Sequence, residues 1–362
     1  MKQIILDFGV LDLVGRSIPI RIYAYGLMLV LGFVVGMWLA QWRAKRAGEG
    51  IESVTACGIL ALTGGIVGSR IAYVIQHWDS QFASAENRVG AVLNLTSGGL
   101  IYYGGVVLAL VLVIGYLLAK RLSVRRYLDF LAVSMMVGLA FGRTGCLLNG
   151  CCYGARCSYQ WPIGMRFPMY SKPLIKLDGR ENPFSLSTDM PSPVYWHQMQ
   201  TGQIQVDPRL LDASGKLIAP RYMTAEQIDI ASASRSLPVQ PAQALGIVNA
   251  LVIAMLTWAF YRLRKREGQA FAAMLMMYAV SRFMLESIRD DNAHNLLTGV
   301  LTHNQYTSIA MFISAIAIFL ALLRLPSSAG PPVALRDRSR KQADVGTRLQ
   351  GLRKNSNRNR KR

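Results

Sequence analysis

Seven separate stretches of about 20 mainly apolar residues leave this chain few architectures. A helix of that length, rising 1.5 Å per residue, crosses a bilayer core of about 30 Å. Hydrocarbon offers no hydrogen-bond partners, so each stretch must satisfy its own backbone, as a helix does. The stretches lie near 20–42, 54–76, 100–119, 127–148, 242–261, 270–288 and 305–325. The first follows a mixed N-terminal arm and lacks the small-residue exit of a cleavable leader, so it reads as a retained anchor. The expected fold is an all-α polytopic membrane protein. Composition agrees: 52% of the 362 residues are hydrophobic and 17% charged, too apolar for a soluble domain of this size.

Short-loop charge sets an expected orientation. Arg43, Lys45 and Arg46, then Lys120, Arg121, Arg125 and Arg126, then Arg262, Arg264, Lys265 and Arg266 mark alternate connections, while loops 77–99 and 290–304 hold only Arg88. Basic loops stay in the cytoplasm, which predicts an outer N-terminus and a cytoplasmic C-terminus in a bacterial inner membrane. Residues 1–326 form the expected transmembrane domain, and 327–362 a basic, disordered cytoplasmic tail rich in Gly, Ser, Asn and Gln. Beside a membrane such a tail meets anionic lipid rather than nucleic acid. Residues 158–238, rich in Pro, Ser, Gln and Asp, form an outer-face insertion in which Gln203–Val206 could be a short strand. Gly32 and Gly36, Gly64 and Gly68, and Gly138 and Gly142 recur four apart, predicting close packing of the first four spans. The absence of an internal repeat argues against inverted-repeat transporter folds.

The sixth stretch carries Tyr278, Arg282 and Glu286, with Arg289 at its end, on one helical face. A charge at the centre of a bilayer helix costs roughly 2.5–3.5 kcal/mol on insertion scales, so such residues face a polar cavity. Two readings follow. The Arg282/Glu286 pair either serves chemistry or transport, or only pins two helices in register.

At the start of the third stretch, Gly98-Gly99 and Gly104-Gly105 bracket Tyr102 and Tyr103, where backbone amides can approach a ligand; an interfacial aromatic belt explains the tyrosines equally well. The fourth stretch carries Arg143 among Gly138, Gly142 and Gly145. Its guanidinium can grip a phosphate bidentately or snorkel to headgroups, and a lipid phosphate suits both readings. Cys146, Cys151, Cys152 and Cys157 cluster at the outer face, apart from Cys57. On that oxidising side a disulfide or plain packing outweighs metal, since C-x4-C-C-x4-C is not a standard zinc spacing and no histidine adjoins it.

These motifs together resemble the prolipoprotein diacylglyceryl transferase family over about residues 20–325. Tyr25-Gly26 is similar to the family's first-span Tyr-Gly, and Gly68-Ser69-Arg70-Ile71-Ala72-Tyr73 to its second-span pattern. Gly98 to Gly105 resembles its double-glycine segment. Gly142-Arg143-x-Gly145-x-x-x-Asn149-Gly150 resembles the signature around its phosphatidylglycerol-binding arginine, and Tyr278 to Arg289 its sixth-span pattern. This chain departs with Cys146 where many members have Asn, Cys151 where many have an acid, Tyr103 where many have a His proposed as base, and Gln240 for the His of His-Pro-x-Gln.

The resemblance implies transfer of diacylglyceryl from phosphatidylglycerol to the lipobox cysteine in a prolipoprotein signal peptide. Implied catalytic residues are Arg143, Arg282, Glu286 and Tyr103. Implied substrate contacts are Arg143, Tyr25, Asn149, Gly104, Gly105, Gly150, Gly154 and Arg289. Partners are then phosphatidylglycerol, the signal peptide and membrane lipids. No nucleotide, haem or flavin motif occurs, so no cofactor is expected. A lipid or anion flippase using the same charged stripe, and an inactive family member, stay open at this stage.

Overall fold

In the computed structural model the described residues are 3–13, 16–83, 87–94, 99, 101–170, 191–289 and 301–326, without side chains over 7–21 and at 221. The basic tail, loop 290–300, Gly98, Leu100 and insertion residues 171–190 lie outside them. The chain opens on an antiparallel hairpin, β1 (Ile4–Leu13) with β2 (Arg16–Tyr23), running from Ile4↔Tyr23 to Leu13↔Arg16. The first span therefore begins at Ala24 rather than near residue 20. Ladder pairing takes up the residues before it, and the Ala24 amide donates to the Gln3 carbonyl at 2.8 Å.

The helices follow in order: α1 (Ala24–Arg46), α2 (Ile51–Gln76), α3 (Arg88–Leu93), α4 (Tyr102–Ala119), α5 (Val124–Asn149), α6 (Pro193–Gln200), α7 (Ala225–Ala233), α8 (Ala242–Leu263), α9 (Gln269–Ile288) and α10 (His303–Leu323). Seven of them, α1, α2, α4, α5, α8, α9 and α10, are long and apolar enough to cross a membrane, as the hydrophobic pattern predicts. The chain is a multi-pass membrane protein. Packing divides the described residues into two compact units, one drawn from 1–36, 132–257 and 271–319, the other from 37–131, 258–270 and 320–326.

In the second unit, small residues set how closely α2 and α4 approach. A Cβ on Gly68 would lie 2.4 Å from the Gly104 carbonyl oxygen, one on Gly104 2.3 Å from the Ala72 Cβ, and one on Gly105 2.5 Å from the Gly65 carbonyl oxygen. Gly104 and Gly105, the second pair of the third-span bracket, are thus helix-packing residues. Gly104→Ala must push one backbone off another, so about 1–3 kcal/mol of destabilisation is expected. Thermal unfolding in detergent checks this, and an unchanged midpoint would mean the two helices separate without cost.

Arg70 on α2 fastens the chain ahead of α4. It donates to the carbonyls of Ala91 (2.7 Å), Val92 (2.9 Å), Asn94 (2.8 Å) and Gly99 (3.1 Å), capping the end of α3. Elsewhere in this unit, Asp129 is fully buried on α5, accepts the Gly268 amide at 2.8 Å and pairs with Arg264 at 2.9 Å. Arg126 joins Glu49 to Glu267. An apolar cluster of Ala40, Ala44, Val54, Cys57, Val113, Leu117, Tyr127 and Phe130 fills the same unit.

In the first unit, Gly32 lies against Gly138 and Phe141, and Gly36 against Ser134, drawing α1 onto α5. The predicted glycine spacings thus act in two pairings, α1 with α5 and α2 with α4. The insertion folds on its own small core of Met169, Tyr170, Tyr195, Leu210, Met223 and Ala231. Helix α7 starts with a full capping box between Thr224 and Gln227. Gln203–Val206 forms a turn and irregular chain rather than a strand, because Gln203 and Ile204 turn their amides back onto the Gln198 carbonyl.

Candidate functional site

Arg143 and Arg282 each stand six residues before the end of their helix, at Asn149 and Ile288 respectively. At 1.5 Å per residue both lie about 9 Å from that end. The two ends are tied together. Beyond α5, the Ala155 amide donates to the Ile288 carbonyl at 2.8 Å, and Gly154 bridges to Arg289 in antiparallel register. Gly154 must be glycine here, since a Cβ would sit 2.7 Å from the Gln240 Cβ and 2.9 Å from its carbonyl oxygen. The two arginines therefore stand equally far from the ends of helices whose following segments are laced together.

Helix α8 connects them a second time. The Arg143 side chain runs against Gly246, whose absent Cβ would lie 3.3 Å from the arginine Cδ. One turn along α8, Asn249 hydrogen-bonds Ser281, the neighbour of Arg282 in sequence. Among the described residues the Arg143 guanidinium has neither a hydrogen-bond nor an ion-pair partner. Tyr25, at the start of α1, packs on Gly145, two residues past Arg143, and lies within electrostatic reach of that arginine. An unpartnered guanidinium beside glycines and a phenol is suited to receiving an anion.

Arg282 is differently placed, being already paired. Its guanidinium meets Glu286 at 2.7 Å, one turn on. Glu286 is only 1% exposed, and its other oxygen accepts from Asn304 at 2.8 Å and from Thr302 at 3.2 Å. Thr302 and Gln305 form a reciprocal cap at the start of α10, and Gln305 also donates to Ser287 at 3.1 Å. With both oxygens engaged, the carboxylate is built to hold Arg282 in one orientation and join α9 to α10.

The turn after α5 gathers the remaining residues. Gly150 adopts a left-handed φ of +75°, and its amide and that of Cys151 both donate to the Cys146 carbonyl, closing the helix. Cys152 also has a positive φ, +59°, unusual for a residue with a side chain. Gln243 secures the turn from α8 by donating to the Cys151 carbonyl at 3.0 Å, and the Asn149 carbonyl accepts from Gln3 at 3.3 Å. Here the sulfurs of Cys146, Cys151 and Cys152 all lie within 4.8 Å of one another. Hydrogen bonds from the other two thiols, reinforced by Arg289 and Arg143, hold the Cys152 thiol below the ordinary range against the opposing effect of burial.

The structure thus groups Tyr25, Arg143, Asn149, Gly150, Gly154, Arg282, Glu286 and Arg289 within one unit. Tyr103, Gly104 and Gly105 belong to the other. Tyr103 is exposed on the first turn of α4, edge-on to Tyr102. Sequence reasoning missed the partners that organise the arginines: Gly246, Asn249, Ser281, Thr302 and Asn304. The Thr302-x-x-Gln305 capping pattern ahead of an apolar run was a readable signal for Thr302. The others are ordinary helix residues whose roles depend on what packs beside them. Arg70 was noted only as part of a motif, and no local pattern reveals that it gathers four carbonyls.

Comparison with known proteins completes the site. The sequence profile of the prolipoprotein diacylglyceryl transferase family matches residues 14–321. Relatives named phosphatidylglycerol–prolipoprotein diacylglyceryl transferase include one from Corynebacterium glutamicum, 26% identical over 84% of this chain and 80% of its own length. Another, from Clostridium tetani, is 24% identical over 83% of this chain and 93% of its own. A third, from Rhodopirellula baltica, is 33% identical over 44% of this chain, and the match spans only 32% of that longer protein. Matched across nearly all its membrane helices, this chain belongs to the prolipoprotein diacylglyceryl transferase family.

Proposed function

We propose that this chain transfers the diacylglyceryl group of phosphatidylglycerol to the lipobox cysteine thiol of prolipoproteins, releasing glycerol phosphate, the first step of bacterial lipoprotein maturation. The observation that carries the mechanism is the pair of arginines, each six residues from its helix end, one without a hydrogen-bond or ion-pair partner among the described residues and one locked by a buried carboxylate. In the reaction the substrate sulfur attacks the glyceryl carbon, the carbon–oxygen bond to phosphate breaks, and the electron pair leaves with glycerol phosphate. Arg143 binds the phosphate and Arg282 assists, both stabilising the charge that grows on the leaving group. Glu286 positions Arg282. Tyr25 and Asn149 supply neutral hydrogen bonds to the headgroup, Gly150 and Gly154 shape the backbone around it, and Arg289 adds positive charge at the rim.

Tyr103, at the position where many family members carry a His proposed as base, is one candidate for that role and Glu286, rated higher as the group that orients Arg282, is another; Gly104 and Gly105 are substrate contacts by family resemblance. A free thiol near pKa 8.5 is only a few per cent ionised at neutral pH, so a base helps. The basic loops orient the chain with its N-terminus outside and its C-terminus in the cytoplasm of the inner membrane. The insertion and the arginine-bearing helix ends then face outward, where signal peptides emerge.

The test uses the purified full chain with phosphatidylglycerol labelled in its acyl chains and a lipobox peptide. Labelled peptide and free glycerol phosphate in equal amounts are the expected result. Lipid or headgroup movement across proteoliposomes without peptide modification would mean a flippase instead. In the same assay Tyr103→Phe is expected to slow transfer by about 10²-fold near neutral pH. Equal rates for the variant and the parent at every pH would remove the phenol as base.

A further inference from the structure

We propose that Cys146, Cys151 and Cys152 form a binding site for one thiophilic d10 cation of the Zn2+ class, with a fourth coordination position left to a ligand from outside the chain. By sequence the spacing C-x4-C-C matches no standard zinc pattern. The fold overrides that objection, because the helix stops at Gly150 and the left-handed turns at Gly150 and Cys152 return the last two thiols onto the helix end that carries the first. The three sulfurs lie within 4.8 Å of one another. A cation held at metal–sulfur distances of about 2.3 Å needs sulfurs about 3.8–4.0 Å apart, a closure that side-chain rotation supplies.

The turn is held before any cation arrives. Gly150 and Cys151 donate to the Cys146 carbonyl, and Gln243 grips the Cys151 carbonyl. Among the described residues no His, Asp or Glu joins the three sulfurs. An all-sulfur donor set selects soft cations over Mg2+ or Ca2+, and three protein ligands are the count that leaves a zinc position open. A disulfide is the competing fate, but any pairing within the cluster leaves one thiol over, and each bridge demands its own narrow geometry.

The experiment measures binding directly and does not depend on transfer activity. Purified full-length protein is reduced with a phosphine, stripped with a chelator and titrated with Cd2+, whose bonds to sulfur absorb in the ultraviolet. One Cd2+ per chain with the intensity of three thiolates is expected, displaced by Zn2+. Binding weakens at least about tenfold in Cys146→Ser, Cys151→Ser or Cys152→Ser, and is unchanged in Cys57→Ser and Cys157→Ser.

Protection from maleimide, read by peptide mass spectrometry on the unmutated chain, covers the case in which a serine variant misfolds. Cd2+ should shield Cys146, Cys151 and Cys152 only. No absorption band in the reduced protein, equal protection of Cys57 and Cys157, or a disulfide that re-forms in the presence of excess Cd2+ would each overturn the site.

Discussion

Arg143→Ala is expected to lower diacylglyceryl transfer by about 10²–10³-fold, the effect of removing one charge-stabilising donor from a site sheltered from water. Its folding is expected to be unchanged. The guanidinium has no ion-pair or hydrogen-bond partner among the described residues, so truncation orphans no hydrogen-bonding group and loses packing on Gly246 and a positive charge near Tyr25 and Cys152. Labelled phosphatidylglycerol and a lipobox peptide report the rate, and thermal unfolding in detergent reports the fold. Arg143→Lys keeps the charge but not the two-pronged grip, so an intermediate rate is expected. Parent-like turnover by a folded Arg143→Ala protein would end the assignment of this arginine to the lipid phosphate.

Glu286→Ala is expected to fail in both readouts. Its carboxylate is 1% exposed and serves Arg282, Asn304 and Thr302 together, so removal leaves a guanidinium without its counter-charge in a largely buried position. Breaking one partner out of a buried pair typically costs about 3–5 kcal/mol. A clear fall in the unfolding midpoint should therefore accompany the lost transfer. The double variant Arg282→Met/Glu286→Leu separates the two readings of this pair. Matched apolar replacements often restore stability where a single truncation does not. If the pair only pins α9 to α10, the double variant is folded and active; if Arg282 acts on the phosphate, it is folded and inactive.

The opposite behaviours expected of two arginines with the same side chain follow from their surroundings, which the sequence displays unevenly. Both were legible as intramembrane charges, because an arginine in an apolar stretch of bilayer length stands out wherever the chain folds. The i, i+4 spacing also made the Arg282–Glu286 pair legible, since helical geometry alone brings those positions together. That Arg143 has no hydrogen-bond or ion-pair partner among the described residues while Arg282 is locked was not legible. It depends on Gly246, Asn304 and Thr302, each distant in sequence from the arginine it affects.

The sequence by itself determined the seven membrane helices to within a few residues, because the bilayer demands a fixed length of apolar chain and self-contained backbone bonding. It also picked out Gly32, Gly36, Gly64 and Gly68 as glycines of close helix contact, though not their partners, and it read Gly104 and Gly105 as ligand contacts where the structure packs them against α2. Only the tertiary structure decided the β-hairpin ahead of α1, the gathering of three cysteines by two left-handed turns, and the joining of the α5 and α9 ends across Gly154. Each of these is a long-range or turn-dependent contact. Periodicity reports which face of a helix is buried, but not what lies opposite it.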